Sequence, residues 1–371
     1  MNIVIFLTYG VSLKSWDDSG LLSREMKLYT TLTEIFDIKF TFVTYGDESD
    51  LMYESRFRDV SIIPMYRYKK RYKNKFITLL QTIFLPFLVK NIKGGNIDII
   101  KTNQLMGSWS PIILKLITKK PLLVRTGYDL YLFSKKDKKN ILKKFTYYLL
   151  TFLALNLSDL YTVSSKSDYN FILGKYFFNK KKLLIRKNWV NPIRQNEKVH
   201  NRSKEVLSVG RLEPQKDFQT LVKLFSKSDI RLDIIGEGSL KAELESTKSN
   251  NINILNRVDN EELLKKYLTY RIFISFSDYE GNPKTILEAM GSKCLVIAAN
   301  IPNNAEIIED GKNGILIKNK DESVFNTINY FLGNPKKMKE ITDNGYDFVK
   351  NHHSLEKYIQ TEYGDYCFLT M

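Results

Sequence analysis

Short apolar runs alternate with amphipathic stretches along the whole chain, and that alternation predicts parallel sheets covered on both faces by helices. Runs at Ile3–Leu7, Ile38–Thr44, Val60–Ile63, Ile97–Lys101, Leu122–Arg125, Leu160–Val163 and Leu183–Arg186 read as strands. Helical patterns fall between several of them, at Leu21–Phe36, Phe76–Ile92, Trp109–Ile117 and Lys138–Leu157. The second half repeats the theme with strands near 205–210, 231–235, 252–255, 272–276 and 294–298. At 371 residues the chain exceeds one typical hydrophobic core. The expected organisation is an α/β chain of two Rossmann-like doubly wound domains, at 1–190 and 205–350, with residues 351–371 following. The polar stretch Arg194–Lys204 reads as the linker. Ligands of such sheets lie outside the carboxyl ends of the strands, so the expected site is a central cleft where both sets of ends meet.

One segment carries the strongest chemical signal. The apolar run Ile272–Ser277 is followed by Tyr279-Glu280-Gly281-Asn282-Pro283-Lys284-Thr285-Ile286-Leu287-Glu288-Ala289-Met290. Pro283 stands where a helix begins, because its missing N–H is one that a first turn leaves unpaired anyway. Strand, glycine loop and helix N-terminus together make a site for an anion such as phosphate. Glu280 precedes the helix and Glu288 lies inside it, roughly 7 Å further along at about 1.5 Å per residue. Each carboxylate can accept hydrogen bonds from the hydroxyls of a sugar or ribose. The alternative is structural, with Glu280 capping the helix and Glu288 solvated on its surface.

A second strand, Val206–Val209, ends at Gly210-Arg211-Leu212 and leads into Glu213-Pro214-Gln215-Lys216-Asp217. Asp217 suits the cap of a helix from Phe218 to Phe225. Arg211 and Lys216 flank the turn, a forked guanidinium and a mobile ammonium suited to a diphosphate. Either alone would be an ordinary solvated charge; the pair ahead of the two-glutamate loop points to a ligand.

With Glu306-Ile307-Ile308 and Gly311-Lys312-Asn313-Gly314 added, these motifs resemble the retaining GT-B glycosyltransferases of family 4. The resemblance is strong across residues 204–320 and looser over 1–195. It implies that Arg211 and Lys216 hold a donor diphosphate, that Glu280 contacts the transferred sugar and that Glu288 binds the ribose. By the same resemblance, Gly210, Gly281, Asn282, Pro283, Lys284 and Thr285 approach the donor, Arg257 and Val258 lie against the base, and the last helix crosses back to the first domain. A UDP- or GDP-linked sugar would be the co-substrate, with no separate cofactor.

Charge is uneven. Residues 1–200 hold 34 Lys and Arg against 16 Asp and Glu, whereas residues 201–371 hold 23 against 25. Within 51–200 the balance is 30 against 8. Arg67-Tyr68-Lys69-Lys70-Arg71-Tyr72-Lys73-Asn74-Lys75 runs into the apolar Phe76–Leu88, and Lys135-Lys136-Asp137-Lys138-Lys139 precedes a second apolar helix. Basic residues beside aromatic and aliphatic ones suit an anionic membrane, at about 1 kcal/mol per charge near the surface. A solvated basic face with a core helix at Phe76–Leu88 is the plainer alternative. No nucleic-acid reading motif accompanies the charge, so nucleic acid is not expected as a partner. Cys294 and Cys367 form no disulfide framework, and Cys294, opening an apolar run, reads as an inert core thiol. The N-terminal Met-Asn-Ile-Val-Ile-Phe-Leu has the character of a first strand, not a signal peptide. No uninterrupted apolar run reaches about 18 residues, so no spanning helix is expected. The resulting expectation is a cytoplasmic protein, peripheral at the inner face of the membrane.

No two aspartates are separated by a single residue, so the diphosphate charge is expected to be met by Arg211, Lys216 and helix amides, with no metal. The histidines are His200, His352 and His353, none at an expected site, and the family's first-domain histidine is replaced by Arg125-Thr126-Gly127-Tyr128-Asp129. Gly10, Asn103, Arg125 and Asp129 are the candidates for acceptor contact, Asp129 equally as a turn residue. Lys101-Thr102-Asn103-Gln104 is expected to face the same cleft. The expected activity is transfer of a sugar to a surface glycan on a lipid carrier. The competing readings are a sugar-nucleotide epimerase or phosphorylase on the same scaffold, and a non-catalytic sugar-nucleotide or lipid-binding module.

Overall fold

The computed structural model describes residues 1–193 and 202–371. Most of the expected linker, residues 194–201, lies outside the described residues. The chain divides into two compact units, Met1–Arg186 with Ile359–Met371, and Lys187–Tyr358.

The first unit is built on seven parallel strands: β1 (Asn2–Phe6), β2 (Lys39–Thr44), β3 (Val60–Pro64), β4 (Ile99–Thr102), β5 (Leu122–Arg125), β6 (Leu160–Val163) and β7 (Leu183–Ile185). Their order is β3-β2-β1-β4-β5-β6-β7. Ile3 sits opposite Phe40 on one side and Ile99 on the other, and these side chains are buried. Continuous apolar strands of this kind belong to a parallel sheet covered on both faces. The chain leaves β1 in one direction and returns through β4 in the other, so the switch point lies between the carboxyl ends of β1 and β4. Short helices at Leu130–Lys136 and Lys166–Lys175 were not legible as separate elements; both begin at side-chain caps, Asp129 and Ser165.

The last helix, Leu355–Thr370, is held in the first unit from Ile359 onward. Phe36 stacks on Tyr363 with ring centroids 3.7 Å apart, and Arg186 Nε donates to Asp365 Oδ2 at 2.7 Å. Lys101 is fully buried, its ammonium paired with Glu362 and donating to the Tyr366 hydroxyl at 3.0 Å. This corrects the expectation that Lys101 faces a cleft. Burial drives its pKa down, and the acidic partner on the last helix is what makes a lysine tolerable there.

The helix Lys75–Lys93 bears on two further expectations. It is long and apolar enough to cross a membrane, by length and composition only, with the polar Thr78, Gln81 and Thr82 inside its apolar stretch and Lys75, Lys90 and Lys93 toward its ends. Nor is it a core helix: only Thr82, Leu85, Pro86 and Val89 are buried.

The second unit carries six parallel strands: β8 (Ser203–Val209), β9 (Leu232–Ile235), β10 (Ile252–Leu255), β11 (Tyr270–Ser275), β12 (Leu295–Ala299) and β13 (Ile315–Ile317). They lie in the order β10-β9-β8-β11-β12-β13. The switch point falls between β8 and β11, whose carboxyl ends carry Gly210-Arg211 and the two-glutamate loop. Among the described strands, only β13, three residues long, escaped the sequence reading.

Candidate functional site

The two motif loops of the second unit are tied together before any ligand is considered. After β8 the backbone bends through Gly210, passing so close to the loop after β9 that a Cβ on Gly236 would lie 2.0 Å from the Gly210 carbonyl oxygen. Pro214–Lys216 form a single 3₁₀ turn. Asp217, in the left-handed region at φ 50°, accepts from the Thr220 N–H at the start of the helix Phe218–Phe225. Gln215 then bridges the loops: its carbonyl accepts from Asp278 N at 3.0 Å, and its side-chain amide donates to the Tyr279 carbonyl at 2.8 Å. Lys320 adds a third tie, donating to Asp217 Oδ2 at 2.6 Å and Asp278 Oδ1 at 2.5 Å.

This bracing brings Lys216 onto Glu280 as a mostly buried ion pair. Glu280 therefore does not cap the helix, and that alternative is set aside. The helix spans Lys284–Gly291, with Pro283 at the N-cap and no side-chain cap bond. Glu288 is 3% exposed and not solvated: Asn260 Nδ2 donates to one carboxylate oxygen at 3.2 Å, and the Tyr267 hydroxyl lies 3.5 Å from the other. The Glu280–Glu288 segment thus places two buried acidic groups on either side of an N-terminal turn whose geometry directs N–H groups outward. Arg211 is exposed, with Nη2 3.5 Å from Gln215 Oε1. Arg257 is exposed and Val258 half-buried in the loop after β10, just ahead of Asn260. Lys284 lies with its ammonium 5.5 Å from the Trp189 ring centroid, and Thr285 is half-buried in the same turn.

Three residues outside the predicted set hold the loop. Asn188 donates twice to Asn282, from its backbone N–H to Oδ1 at 3.1 Å and from Nδ2 to the carbonyl at 2.7 Å. Asn303 Nδ2 donates to the Gly281 carbonyl at 2.6 Å. Behind Asn188 sits His353, 2% exposed, with Nδ1 2.8 Å from the Asn188 carbonyl oxygen. A carbonyl only accepts, so Nδ1 carries the proton, leaving Nε2 buried with no hydrogen-bond partner among the described residues. Burial depresses this imidazole to about 4, the Asn188 bond opposing the shift in part. The spacing of Asn188 and Asn303 from the motifs gave no signal, since both meet the loop only through the fold.

In the first unit, Gly10 is exposed at φ 81° just beyond β1. Asn103, just beyond β4, is buried and accepts from Thr8 Oγ1 at 3.1 Å. Both therefore stand at the switch point of the first sheet. Arg125 ends β5, its backbone N–H bound to Thr102 Oγ1 at 2.9 Å. Asp129 corrects the acceptor assignment: it is fully buried, caps the helix Leu130–Lys136 through Leu132 N at 2.6 Å and lies 3.3 Å from the Tyr176 hydroxyl. Its turn role is the one the structure supports, and burial raises its carboxyl to about 6. Cys294 is buried and its thiol pushed up to about 12, an inert core group. Among the described residues no group of three or more His, Cys, Asp or Glu side chains is arranged to hold a metal ion.

Residues 190–348 match the family model for glycosyl transferases group 1. The chain is similar to the N-acetylgalactosamine-N,N'-diacetylbacillosaminyl-diphospho-undecaprenol 4-alpha-N-acetylgalactosaminyltransferase of Campylobacter jejuni, 26% identical over 56% of this chain and 59% of that relative. It spans, then, less than two thirds of that protein's length. It is also 26% identical to the O-antigen biosynthesis glycosyltransferase WbnH of Escherichia coli, over 86% of this chain and 89% of the relative. Among solved structures, Anabaena HepE in complex with UDP and glucose superposes with a TM-score of 0.75 at 16% identity, covering 98% of this chain and 99% of that one. Residues 190–348 are thus similar to the group 1 glycosyl transferases, and the chain has the α/β fold of the GT-B glycosyltransferases.

Proposed function

We propose that the chain is a retaining, metal-independent glycosyltransferase that moves a hexose from a UDP- or GDP-linked sugar to a surface-glycan acceptor on a membrane lipid. The observation that carries the donor half is the Lys216–Glu280 pair, locked by Gln215 beside the N-terminus of Lys284–Gly291. An ammonium has three N–H donors, so Lys216 can serve Glu280 and a diphosphate oxygen together. Arg211, exposed at the same turn, supplies a second cation. As the bond from the sugar C1 to the diphosphate oxygen breaks, negative charge grows on the leaving phosphate. Lys216, Arg211 and the helix end stabilise it without reorganising. The acceptor hydroxyl forms its bond to C1 on the same face, and its proton passes to the departing phosphate oxygen. Glu280 orients the transferred sugar, and Glu288 accepts from the ribose hydroxyls. The nucleotide sugar is the co-substrate, and no further cofactor is invoked.

The lipid-borne acceptor is supported by the basic first half and by the relatives, one named for a diphospho-undecaprenol substrate and another for O-antigen biosynthesis. That acceptor places the enzyme at the inner face of the cytoplasmic membrane, on its anionic surface. The test is slow hydrolysis across a panel of nucleotide sugars, in which a transferase consumes one donor and releases free sugar and nucleotide. Arg211→Ala and Lys216→Ala should each lower turnover by at least about 100-fold, the scale of lost transition-state charge stabilisation, and activity should persist in excess chelator. Near-normal turnover in both variants would sink the diphosphate assignment. Loss restored by manganese or magnesium would sink metal independence.

A further inference from the structure

Two helices of the first unit turn apolar stripes to the outside. Lys75–Lys93 packs inward through Thr82, Leu85, Pro86 and Val89. Outward it presents Phe76, Leu80, Phe84 and Phe87, with Phe76 65% and Phe84 59% exposed. Their spacings of four, four and three residues make one stripe of a helix. No charged residue interrupts the helix between Lys75 and Lys90. Ile141–Leu157 repeats the arrangement, with Thr151, Ala154 and Leu155 inward and Leu142, Phe145, Leu149 and Leu153 outward.

Topology puts both stripes on one side. The crossovers β3 to β4, β4 to β5 and β5 to β6 run in the same direction across the sheet, and right-handed crossovers in one direction place their helices on one face. The helix Trp109–Thr118 packs against both others, with Leu116 exposed on it. Crossover helices run antiparallel to their strands, so both stripes begin at the carboxyl edge of the sheet. There each meets exposed basic residues: Lys70, Arg71 and Lys73 ahead of the first helix, and Lys138, Lys139 and Lys143 around the start of the second.

We infer that these two stripes are the surface by which the first unit docks on an anionic bilayer. The phenyl and leucyl groups enter the acyl boundary, while the lysines and Arg71 meet headgroup phosphates. A second copy of the chain is a poorer occupant, because two such faces would bring like charge to like charge. Both helices lie in the plane of the interface. The carboxyl edge of the first sheet, where Gly10 and Asn103 stand, is then the edge from which a lipid-borne acceptor is reached. The inference rests on the membrane-lipid acceptor proposed above and adds the face and its orientation.

The full chain with Phe84→Trp or Phe145→Trp would be mixed with vesicles of phosphatidylglycerol and phosphatidylethanolamine, the acyl chains brominated near the interface. The added tryptophan fluorescence should be quenched in both variants and unchanged in Tyr330→Trp, a control on an exposed residue of the second unit. The double variant Phe84→Ser/Phe145→Ser should lose at least about tenfold in vesicle partitioning while nucleotide-sugar hydrolysis stays normal. Vesicle binding with both tryptophans unquenched would overturn this face yet leave the membrane acceptor standing. Absence of binding to anionic vesicles would overturn both. A concentration-dependent dimer that buries the two tryptophans would assign the face to a second copy and refute the inference.

Discussion

His353→Gln tests whether a buried imidazole in the second unit holds the two-glutamate loop through Asn188. In the folded chain the imidazole is depressed from its ordinary 6.5 to about 4, first by burial. That difference corresponds to about 3 kcal/mol of stability favouring the neutral ring, at about 1.4 kcal/mol per pH decade. Because the folded value lies below the unfolded one, the contribution is fully present above pH 6.5 and is lost as pH falls toward 4. Glutamine can still donate an amide N–H to the Asn188 carbonyl but cannot take up a proton. The stability gap between wild type and variant should therefore shift by about 3 kcal/mol against wild type between pH 7.5 and pH 4. Urea unfolding followed at both pH values measures that shift. The chain has three histidines, so carbon-13 labelling of histidine gives three resonances. One should titrate near 4 and vanish in the variant. Because Asn188 bonds Asn282, nucleoside-diphosphate affinity of the wild type should also weaken with acid more steeply than that of the variant. Three histidines titrating near 6.5, or parallel pH profiles of stability, would refute the reasoning.

Two further outcomes follow from groups of opposite sign or role. The Asp129 carboxyl is raised to about 6 in the folded chain, so its favourable contribution is present below about 3.8 and is lost as pH rises through 6. Asp129→Asn keeps an oxygen for the Leu132 N–H and carries no charge. It should melt higher than wild type at pH 7.5, by the equivalent of about 1–3 kcal/mol, with the difference vanishing near pH 4; a variant less stable at both values would contradict the burial argument. Glu288→Ala should chiefly weaken nucleotide binding, whereas Glu280→Gln should lower turnover more than donor affinity. Calorimetry with nucleoside diphosphate separates them, and equal affinity losses in the two variants would undo that division of roles.

The sequence by itself determined the fold class and the motif loops of the second unit. Strand and helix periods are local properties, which is why Leu122–Arg125 and Leu160–Val163 were read to the residue. The motif loops were legible for the same reason: Gly210-Arg211, Lys216 and Glu280 through Glu288 are short-range patterns of turn, cap and helix start. What the tertiary structure decided was which of those groups meet and which are already spent. Glu280 looked like a cap in one reading, yet packing of β8 beside β11 brings Lys216 to it. Lys101 and Asp129 sat at strand ends like ligand contacts, but Glu362, 261 residues away, claims the first, and the helices around the second bury it. Asn188, Asn303 and His353 carry no local signal, because each supports the two-glutamate loop from a distant stretch of chain. The apolar stripes are the converse case. Their residues were plain in the sequence, but only the fold shows which face of each helix is left uncovered, because burial belongs to the packed unit and not to the segment.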